Sequence, residues 1–336
     1  MSTPRRIALV AGIAVAALTL AGCTVGDQDT QGSAESTSGP LATVDTMFGE
    51  VEIPQPEDGE LTVVALGWSD AEMALALGVT PVAVFDWQAF GADNKGVGPW
   101  ATELFGDVEP ELIERGDQTL NYEQILALEP DLILNTRSGN DEAEFERLSE
   151  IAPTVYAPEG TAPFATEWRD QLTLIGESLG RADEAEALVS ETEEQITAAA
   201  AEHPEFEGLT VASAAKFGDA YGAYLPGDGR FDLLAELGFV NNPPIEELDS
   251  SGFFANVSAE NVTALDADVA VLLPIGFTLA ETESDPLLSS LAVVDDDRTV
   301  VLDPASELAG AWSAASVLSI PVVLDGLVPQ LADAAG

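Results

Sequence analysis

The sequence predicts an α/β protein with two similar lobes, and the main evidence is an internal repeat. The segment Asn121–Leu134 (NYEQILALEPDLIL) has a counterpart in Ser258–Val271 (SAENVTALDADVAV), at a constant offset of 137 residues (258 − 121). In both segments, apolar residues at helical spacing precede an apolar run of strand length. Such an uninterrupted run is typical of a parallel strand that is buried on both faces. Two copies of this helix–strand unit indicate two lobes of the same kind.

Each copy begins with a residue that is suited to cap a helix. Asn121 and Ser258 stand at the N-cap positions, and Gln124 would complete a capping box in the first copy. Asp131 and Asp268 then occupy equivalent positions in the turns before the strands. The repeat therefore extends through the cap, the helix, the turn and the strand.

The composition allows a large core and argues against several classes of function. The chain has 336 residues, 46% of them hydrophobic, and a formal net charge of −49. This length suits one large or two medium domains, and the repeat favours two. The charge repels nucleic acids and anionic membrane surfaces at long range, which argues against a nucleic-acid-binding function. It suits a protein that stays soluble outside the cytoplasm or in salty surroundings.

The N-terminus has the features of a bacterial lipoprotein signal. Arg5 and Arg6 precede the apolar run Ile7–Leu20, which is too short to span a bilayer securely. The run ends in Leu-Ala-Gly-Cys, a sequence that looks like a lipobox, and Cys23 is the single cysteine of the chain. We expect residues 1–22 to form a signal peptide and Cys23 to carry a lipid rather than a structural role.

The remaining chain divides into a tether, two lobes and a long helix. Residues 23–45 are rich in small polar residues and predict a flexible tether. We expect an N-terminal lobe at residues 46–181, an interlobe helix at residues 182–203 and a C-terminal lobe at residues 204–336. The helix has apolar residues at three-and-four spacing over Ala182–Glu202 and would be about 30 Å long.

Outside the repeat, both lobes show alternating strand and helix patterns. We expect strands at Leu61–Leu66, Pro81–Phe85, Thr154–Ala157, Leu209–Ala215 and Thr299–Leu302. We expect helices at Ala71–Leu77, Phe145–Ile151, Trp168–Leu179, Phe231–Leu237 and Pro286–Leu291, with a terminal helical region at Ser313–Leu331 that Pro321 interrupts.

Three irregular segments are candidates for ligand binding. Asp86–Trp100 is a long loop, and loops of that length are usually functional. Asn135–Gly139 follows the strand of the first repeat, and ligands of open α/β sheets bind at the carboxyl ends of such strands. Lys216–Arg230, rich in glycine and tyrosine, stands where a tight turn would otherwise be expected.

Several of these segments together resemble the substrate-binding lipoproteins of ABC importers for iron–siderophore complexes, a group that includes vitamin B12 and haem binders. The resemblance covers most of the chain from about Leu61 onward. It rests on Trp68 with Ala74–Val82, on Asn121–Leu134, on Ile151–Val155, on the region from Leu174 to Arg181, and on Gly229–Phe231.

The resemblance implies two Rossmann-like lobes joined by one long helix, with the ligand in the cleft between them and modest closure on binding. It implies a monomer that catalyses no reaction and carries no cofactor. Such a protein would be anchored by lipid on the extracytoplasmic side of the cell membrane, where it would deliver a ferric siderophore to a permease dimer.

The family also implies a function for Glu123 and Glu260, which match the positions where one glutamate per lobe faces arginines of the permease. The alternative is local: an acidic residue in a first helical turn stabilises the helix dipole by about 0.3–1 kcal/mol. The matched positions in the two copies favour docking, since a two-fold transporter requires matched contacts.

Binding of an anionic ferric chelate calls for cationic and aromatic residues on loops at the cleft. We expect the cations to form a locally positive pocket; the alternatives are a surface charge for each cation and a core position for each aromatic residue. Arg137 and Arg230 resemble arginines of catecholate-siderophore binders, although no third arginine lies near Leu273–Phe277. The candidates are Lys95, Arg137, Lys216, Arg230, Trp68, Trp87, Tyr221, Tyr224 and Trp312.

Three other classes of function remain in competition. A direct zinc site needs three or four nitrogen or sulfur donors, and the chain has one histidine, His203. An enzyme is not indicated, because neither a GxSxG motif nor a P-loop is present. A surface lipoprotein without a transport function would not need the two-lobe repeat. Cobalamin and haem remain alternative ligands.

Overall fold

The computed structural model describes residues 39–56, 59–113, 115–116, 119–218 and 220–336. The predicted signal peptide, the lipid on Cys23 and the tether up to residue 38 lie outside the described residues. Within the described ranges, no helix combines the length and the apolar character that a membrane crossing requires.

The strands of the described chain fall into two large sheets and two hairpins. They are β1 (Ala42–Thr46), β2 (Gly49–Ile53), β3 (Val63–Ala65), β4 (Ala83–Phe85), β5 (Glu111–Ile113), β6 (Arg115–Gly116), β7 (Thr119–Leu120), β8 (Leu132–Leu134), β9 (Thr154–Val155), β10 (Thr210–Phe217), β11 (Ala220–Tyr224), β12 (Val240–Asn241), β13 (Ser250–Ser251), β14 (Phe254–Val257), β15 (Val269–Ile275) and β16 (Thr299–Val301).

The α-helices are α1 (Asp70–Ala76), α2 (Pro99–Thr102), α3 (Tyr122–Ala127), α4 (Glu142–Ser149), α5 (Trp168–Ser178), α6 (Ala182–Glu202), α7 (Gly229–Glu236), α8 (Pro243–Glu246), α9 (Leu279–Glu283), α10 (Ala292–Asp295), α11 (Glu307–Ala314) and α12 (Ile320–Ala335). Short 3₁₀ helices cover Ala92–Asn94, Glu103–Phe105, Pro204–Phe206, Ala259–Leu265 and Leu288–Ser290.

The N-terminal lobe is built on a parallel sheet of five strands in the order β5-β4-β3-β8-β9. Val64 pairs with Ile133 at its centre. All three residues of Leu132–Leu134 are fully buried, as the apolar run predicted. The carboxyl ends of these strands therefore lie along one edge of the sheet.

The C-terminal lobe has a mixed sheet of seven strands. Its parallel part comprises β12, β10, β15 and β16, with Ala214 opposite Leu272. The remaining strands, β11, β14 and β13, run antiparallel beyond β10. This changes the expectation for Lys216–Arg230: its first half forms a hairpin, in which Ala220–Tyr224 pairs with β10. Tyr221 and Tyr224 of this strand belong to two different core clusters.

The two repeat strands begin at the predicted offset, since β8 starts at Leu132 and β15 at Val269. The acidic residues before them have the same function in both lobes. Asp131 Oδ2 accepts a hydrogen bond from the Thr62 backbone N–H at 2.8 Å. Asp268 Oδ2 accepts one from the Thr210 N–H at 2.9 Å. Each aspartate thus fixes the start of its lobe's first parallel strand.

The helical halves of the two copies differ. Asn121 caps α3 by accepting a hydrogen bond from the Gln124 N–H at 3.1 Å. The predicted capping box does not form, because the Gln124 side chain donates to the Leu112 carbonyl at 3.1 Å. In the second copy the helix is 3₁₀, and Ser258 makes no side-chain cap hydrogen bond.

The long helix α6 has the predicted bounds and links the two sheets along the chain. It contacts α5 in the N-terminal lobe and α7 and α12 in the C-terminal lobe. Ala185, Thr192 and Ile196 form its buried stripe. The structure thus confirms two α/β lobes connected by one helix.

Two predictions at the ends of the fold need correction. The predicted tether, residues 23–45, overlaps the β1–β2 hairpin at Ala42–Asp45, because Val44 and Ile53 are buried in the main core cluster. At the other end, Pro321 lies in the first turn of helix α12 instead of interrupting a helix. Proline is well tolerated there because the first turn of a helix does not use its backbone N–H groups.

Candidate ligand-binding cleft

Three aromatic rings form a stack at the carboxyl edge of the N-terminal sheet. Trp68 follows β3 and Trp87 follows β4, and their ring centroids lie 4.4 Å apart with planes at 12°. Phe164 covers Trp68 from the other side, also at a centroid distance of 4.4 Å. The two tryptophans are brought together because parallel neighbouring strands end at the same edge.

A cavity of about 640 Å³ opens between the lobes on one side of this stack. We call it the interlobe cavity. Its walls are largely aromatic and apolar, which suits a bulky ligand with apolar surface. The lining residues are Trp68, Pro163, Phe164, Phe217, Tyr224, Arg230, Gly252, Phe253, Phe254 and Ile275.

Arg230 enters this cavity from the N-terminus of α7 and is held by its own helix cap. Asp228 is fully buried and accepts hydrogen bonds from Arg230 Nε at 2.7 Å and Nη2 at 2.6 Å. The same carboxylate caps α7 by accepting from the Arg230 backbone N–H. The guanidinium also lies 3.7 Å from the ring centroid of Tyr224. The ion pair and the ring fix the arginine in one position.

The ion pair also sets the protonation of its members. Burial raises the pKa of Asp228, but the charge and hydrogen bonds of Arg230 outweigh it, so the pKa lies below its ordinary value. Burial lowers the pKa of Arg230, and the attraction of Asp228 more than reverses that shift. Both groups are therefore ionised at neutral pH.

Arg137 follows β8 and is the cation with the most buried environment. It donates from Nε to the Phe164 carbonyl at 3.2 Å and from Nη1 to the Ala314 carbonyl at 2.9 Å. Burial, with a smaller effect of the charge on Arg230, lowers the pKa of Arg137 to about 10. It remains protonated at neutral pH, and it links the loop of Phe164 to the end of α11 in the other lobe.

A second cavity of about 610 Å³ lies on the N-terminal lobe and shares Trp68 and Phe164 with the interlobe cavity. We call it the N-lobe cavity. It is more polar, with charges of both signs. The residues that line it are Leu66, Trp68, Phe85, Trp87, Thr119, Tyr122, Arg137, Ser138, Gly139, Asp141, Ala143, Glu144, Arg147 and Phe164.

Two buried carboxylates on α1 position the stack and connect the lobes. Asp70 accepts hydrogen bonds from the Gly67 and Thr136 N–H groups and from Gln171 Nε2, which ties the turn after β3 to the turn after β8. Glu72 accepts from Trp100 Nε1 at 2.8 Å and from the Ser316 hydroxyl beyond α11. Burial raises the pKa of both carboxyl groups.

Lys216 and Tyr221 lie together but line neither of the two cavities. Lys216 Nζ is 2.5 Å from Asp285 Oδ2, and the Tyr221 hydroxyl donates to the same carboxylate at 2.9 Å. The ammonium also lies between the rings of Tyr221 and Phe277, at 4.7 and 4.8 Å from their centroids. Its charge is thus matched by Asp285.

The remaining candidate ligand residues lie elsewhere. Lys95 donates to the carbonyls of Gly106 and Val108 and pairs with Glu109 at 3.4 Å. Trp312 is 2% exposed and belongs to the main core. Neither residue lines the two cavities. Their function in ligand binding stays a prediction, as does that of the other candidates.

Seven of the ten residues that line the interlobe cavity were not among the sequence candidates. Phe164, Phe217, Phe253 and Phe254 line the cavity, and none was among the candidates. Two of them could have been found, since Phe253-Phe254 directly follows Gly252 in a short polar loop. Phe164 could not, because its place in the wall is defined by tertiary contacts with Trp68 and Arg137, which are distant in the sequence.

The cleft has the chemistry of a binding site for an organic ligand. Within the described ranges, no three His, Cys, Asp or Glu side chains gather where they could hold a metal ion. His203 lies at the end of α6, where Nδ1 is 2.8 Å from Glu205 and the ring stacks on Phe206. Aromatic walls, fixed guanidinium groups and a cavity between lobes can enclose a large solute.

Comparisons with known proteins agree with this arrangement. The profile of the family described as "Periplasmic binding protein" matches residues 63–305. A comparison with curated protein sequences gave no match. The periplasmic solute binding protein from Mycobacterium smegmatis is 32% identical, with a TM-score of 0.75 over 88% of this chain and 99% of that chain.

A second relative is PiaA from Streptococcus pneumoniae, an iron uptake ABC transporter substrate-binding protein. It is 28% identical, with a TM-score of 0.71, over 87% of this chain and 99% of that chain. Its structure in complex with ferrichrome has a TM-score of 0.73 at 27% identity and covers 88% and 98% of the two chains. The chain therefore belongs to the periplasmic binding protein family, whose members are solute-binding proteins and not enzymes.

Proposed function

We propose that this protein captures a ferric siderophore between its lobes and delivers it to the permease of an ABC importer, while a lipid on Cys23 holds it at the outer side of the cell membrane. The observation that carries the proposal is the interlobe cavity of about 640 Å³ with aromatic walls and one fixed guanidinium. Relatives that share the fold and bind iron chelates, among them PiaA with ferrichrome, support it.

The size and walls of the cavity suit a compact, bulky chelate. Eight of its ten lining residues carry aromatic or aliphatic side chains, which both lobes contribute, so a bound ligand would lose water on two sides. The stack of Trp68 supplies a flat face for the ligand's organic shell. Contacts with both lobes would stabilise the closed arrangement.

Tryptophan fluorescence titration tests the capture step directly. The protein without residues 1–22 is titrated with ferrichrome, a ferric tricatecholate, cobalamin, haemin and Zn²⁺. We expect saturable quenching by at least one ferric siderophore, since Trp68 lines both cavities and Trp87, which stacks on it, lines the N-lobe cavity. Binding of cobalamin or haemin alone would favour the alternative chelates, and binding of Zn²⁺ alone or of nothing would refute the proposal.

A pair of variants locates the site. Trp68→Ala is expected to weaken chelate binding by about tenfold or more, because it removes a wall shared by both cavities. Trp168→Phe is the matched control: Trp168 lines neither cavity, and its Nε1 makes no hydrogen bond with the described residues, so the substitution removes none. Equal affinities of the two variants would place the ligand elsewhere.

A further inference from the structure

The interlobe cavity contains an arginine but carries no net positive charge. Among the described residues that line it, Arg230 is the one with an ionised side chain. Asp228 binds that guanidinium through two hydrogen bonds, at 2.7 and 2.6 Å. The pair is therefore neutral as a unit, and the rest of the wall is aromatic, aliphatic or glycine.

The N-lobe cavity is balanced in the same way. Arg137 and Arg147 line it with positive charges, and Asp141 and Glu144 line it with negative charges. Two N–H donors of Arg137 are hydrogen-bonded to protein carbonyls, those of Phe164 and Ala314. The formal charges of this wall cancel, so neither cavity offers an excess of cations to an anionic ligand.

The remaining chain adds a repulsive field for anions. Its formal net charge is −49, and the Lys216 ammonium, which could have offset part of it near the cleft, is matched by Asp285. At physiological ionic strength, charges within about 8 Å still act on a ligand that approaches the cleft. An anionic chelate would thus meet repulsion outside the cavity and no compensating charge inside it.

We propose that the cleft selects ferric chelates of zero or positive net charge, with ferric trihydroxamates as the ligand class, and rejects anionic tricatecholates. This inference rests on the proposed function. Three hydroxamates, each singly negative, cancel the charge of Fe(III), whereas three doubly deprotonated catecholates leave three negative charges. Entering an aromatic cavity costs the neutral complex little desolvation free energy. The anionic complex would lose its hydrating water and find no unpaired cation in the cavity to replace it.

Asp228 is the residue that sets this preference in the interlobe cavity. Without its charge, Arg230 would present an unmatched guanidinium to the ligand. Asparagine at this position has nearly the same shape and still offers an oxygen to the Arg230 backbone N–H and guanidinium, so the cap and the position of Arg230 can persist. The substitution therefore changes charge more than shape.

The first test compares two probes on the unmodified protein by fluorescence titration: ferrichrome, a neutral trihydroxamate, and a synthetic ferric tricatecholate. Ferrichrome is expected to bind at least tenfold more tightly. Tighter or equal binding of the tricatecholate would overturn this inference and leave the proposed function intact. Failure of every ferric siderophore to bind would instead refute the proposed function.

The second test measures both probes with charge variants. Asp228→Asn is expected to shift the ratio of affinities toward the tricatecholate by about tenfold. Asp141→Asn, which removes a charge from the N-lobe cavity but keeps a helix-capping side chain, should shift it in the same direction. Asp333→Asn, an exposed residue of α12, makes the same change in net charge away from both cavities and should leave the ratio unchanged. Equal ratios in all three variants would overturn the inference.

Discussion

The guanidinium of Arg169 on α5 forms a bidentate ion pair with Glu236 on α7, with N–O distances of 2.9 and 2.7 Å. Its Nε also donates to Glu193 of α6 at 2.5 Å. One side chain of the N-terminal lobe therefore holds the C-terminal lobe and the connecting helix together. It joins the lobes at a point that lies outside both cavities.

We expect Arg169→Lys to destabilise the protein by about 1 kcal/mol, because an ammonium cannot make the bidentate contact. A double-mutant cycle with Glu236→Gln, measured by chemical denaturation, isolates the interaction energy of the pair. Arg181→Lys is the control, since Arg181 pairs with Glu184 at an exposed site and should contribute little. Full additivity of the two substitutions would show that the bidentate pair contributes nothing.

The turn at Ser69 provides a second prediction. Ser69 has a positive φ of 65°, and its hydroxyl donates to the Ala314 carbonyl at 2.8 Å. Ser69→Ala keeps the strained backbone and loses the hydrogen bond, so we expect a loss of about 1 kcal/mol. Ser69→Gly loses the same bond but relieves about 1 kcal/mol of left-handed strain.

The glycine variant should therefore be more stable than the alanine variant, the reverse of the order at an ordinary helix position. Thermal or chemical denaturation of the two variants gives the comparison directly. If alanine were the more stable of the two, the backbone of Ser69 would not be strained in the way that its φ indicates.

The carboxyl group of Asp232 predicts a dependence of stability on pH. Burial, together with the charges of Glu167, Asp228 and Glu236, raises its pKa from 3.8 to about 7, while a hydrogen bond from the Gly227 N–H opposes the shift. Its Oδ2 is buried and has no hydrogen-bond partner among the described residues. The folded chain thus holds this proton more tightly than the unfolded chain does.

The contribution of Asp232 to stability is therefore complete below about pH 4 and is lost as the pH rises toward 7, by about 1.4 kcal/mol for each unit of the shift. Asp232→Asn removes this loss. The stability gained by Asp232→Asn over the unmodified protein should therefore be larger at pH 8 than at pH 5, by roughly 2–3 kcal/mol in denaturation experiments. The exposed control Asp325→Asn should show no such difference, and a pH-independent effect of Asp232→Asn would contradict the prediction.

The sequence predicted the parts of the fold that depend on local patterns. Helix α6 has the predicted bounds, since its periodicity runs uninterrupted from Ala182 to Glu202. Strands β8 and β15 were predicted from uninterrupted apolar runs, because such a run is fully buried only in a strand whose sheet is covered on both faces. The second repeat helix is 3₁₀ and receives no side-chain cap from Ser258, and residue type alone does not determine either feature.

The candidate site was predictable only in part, because its charges are set by tertiary contacts. Trp68 and Trp87 follow two strands that the apolar pattern predicted, and the structure shows that these strands are neighbours in the sheet. In contrast, Arg137 binds a carbonyl that is 177 residues away in the chain. Whether a cation is paired depends on such contacts, so the expectation of a positive pocket could not be checked without the structure.

The exposed glutamates of the two repeats give the last prediction. Glu123 lies in the first turn of α3, and Glu260 lies in the 3₁₀ helix that corresponds to it. Both are exposed and line neither cavity. If they contact the permease, reversing both charges with Glu123→Arg and Glu260→Arg should abolish uptake of the ferric siderophore by cells, while the affinity of the purified protein for the chelate stays unchanged.

The control reverses two exposed glutamates of α6, Glu186 and Glu194, which adds the same positive charge without touching the repeats. This separates a specific contact from the effect of net charge on encounter with the membrane. Each single reversal should reduce uptake less than the pair does, because the other lobe would keep its contact. Normal uptake by the double variant would mean that the two residues serve only their helices, to which each contributes about 0.3–1 kcal/mol through the helix dipole.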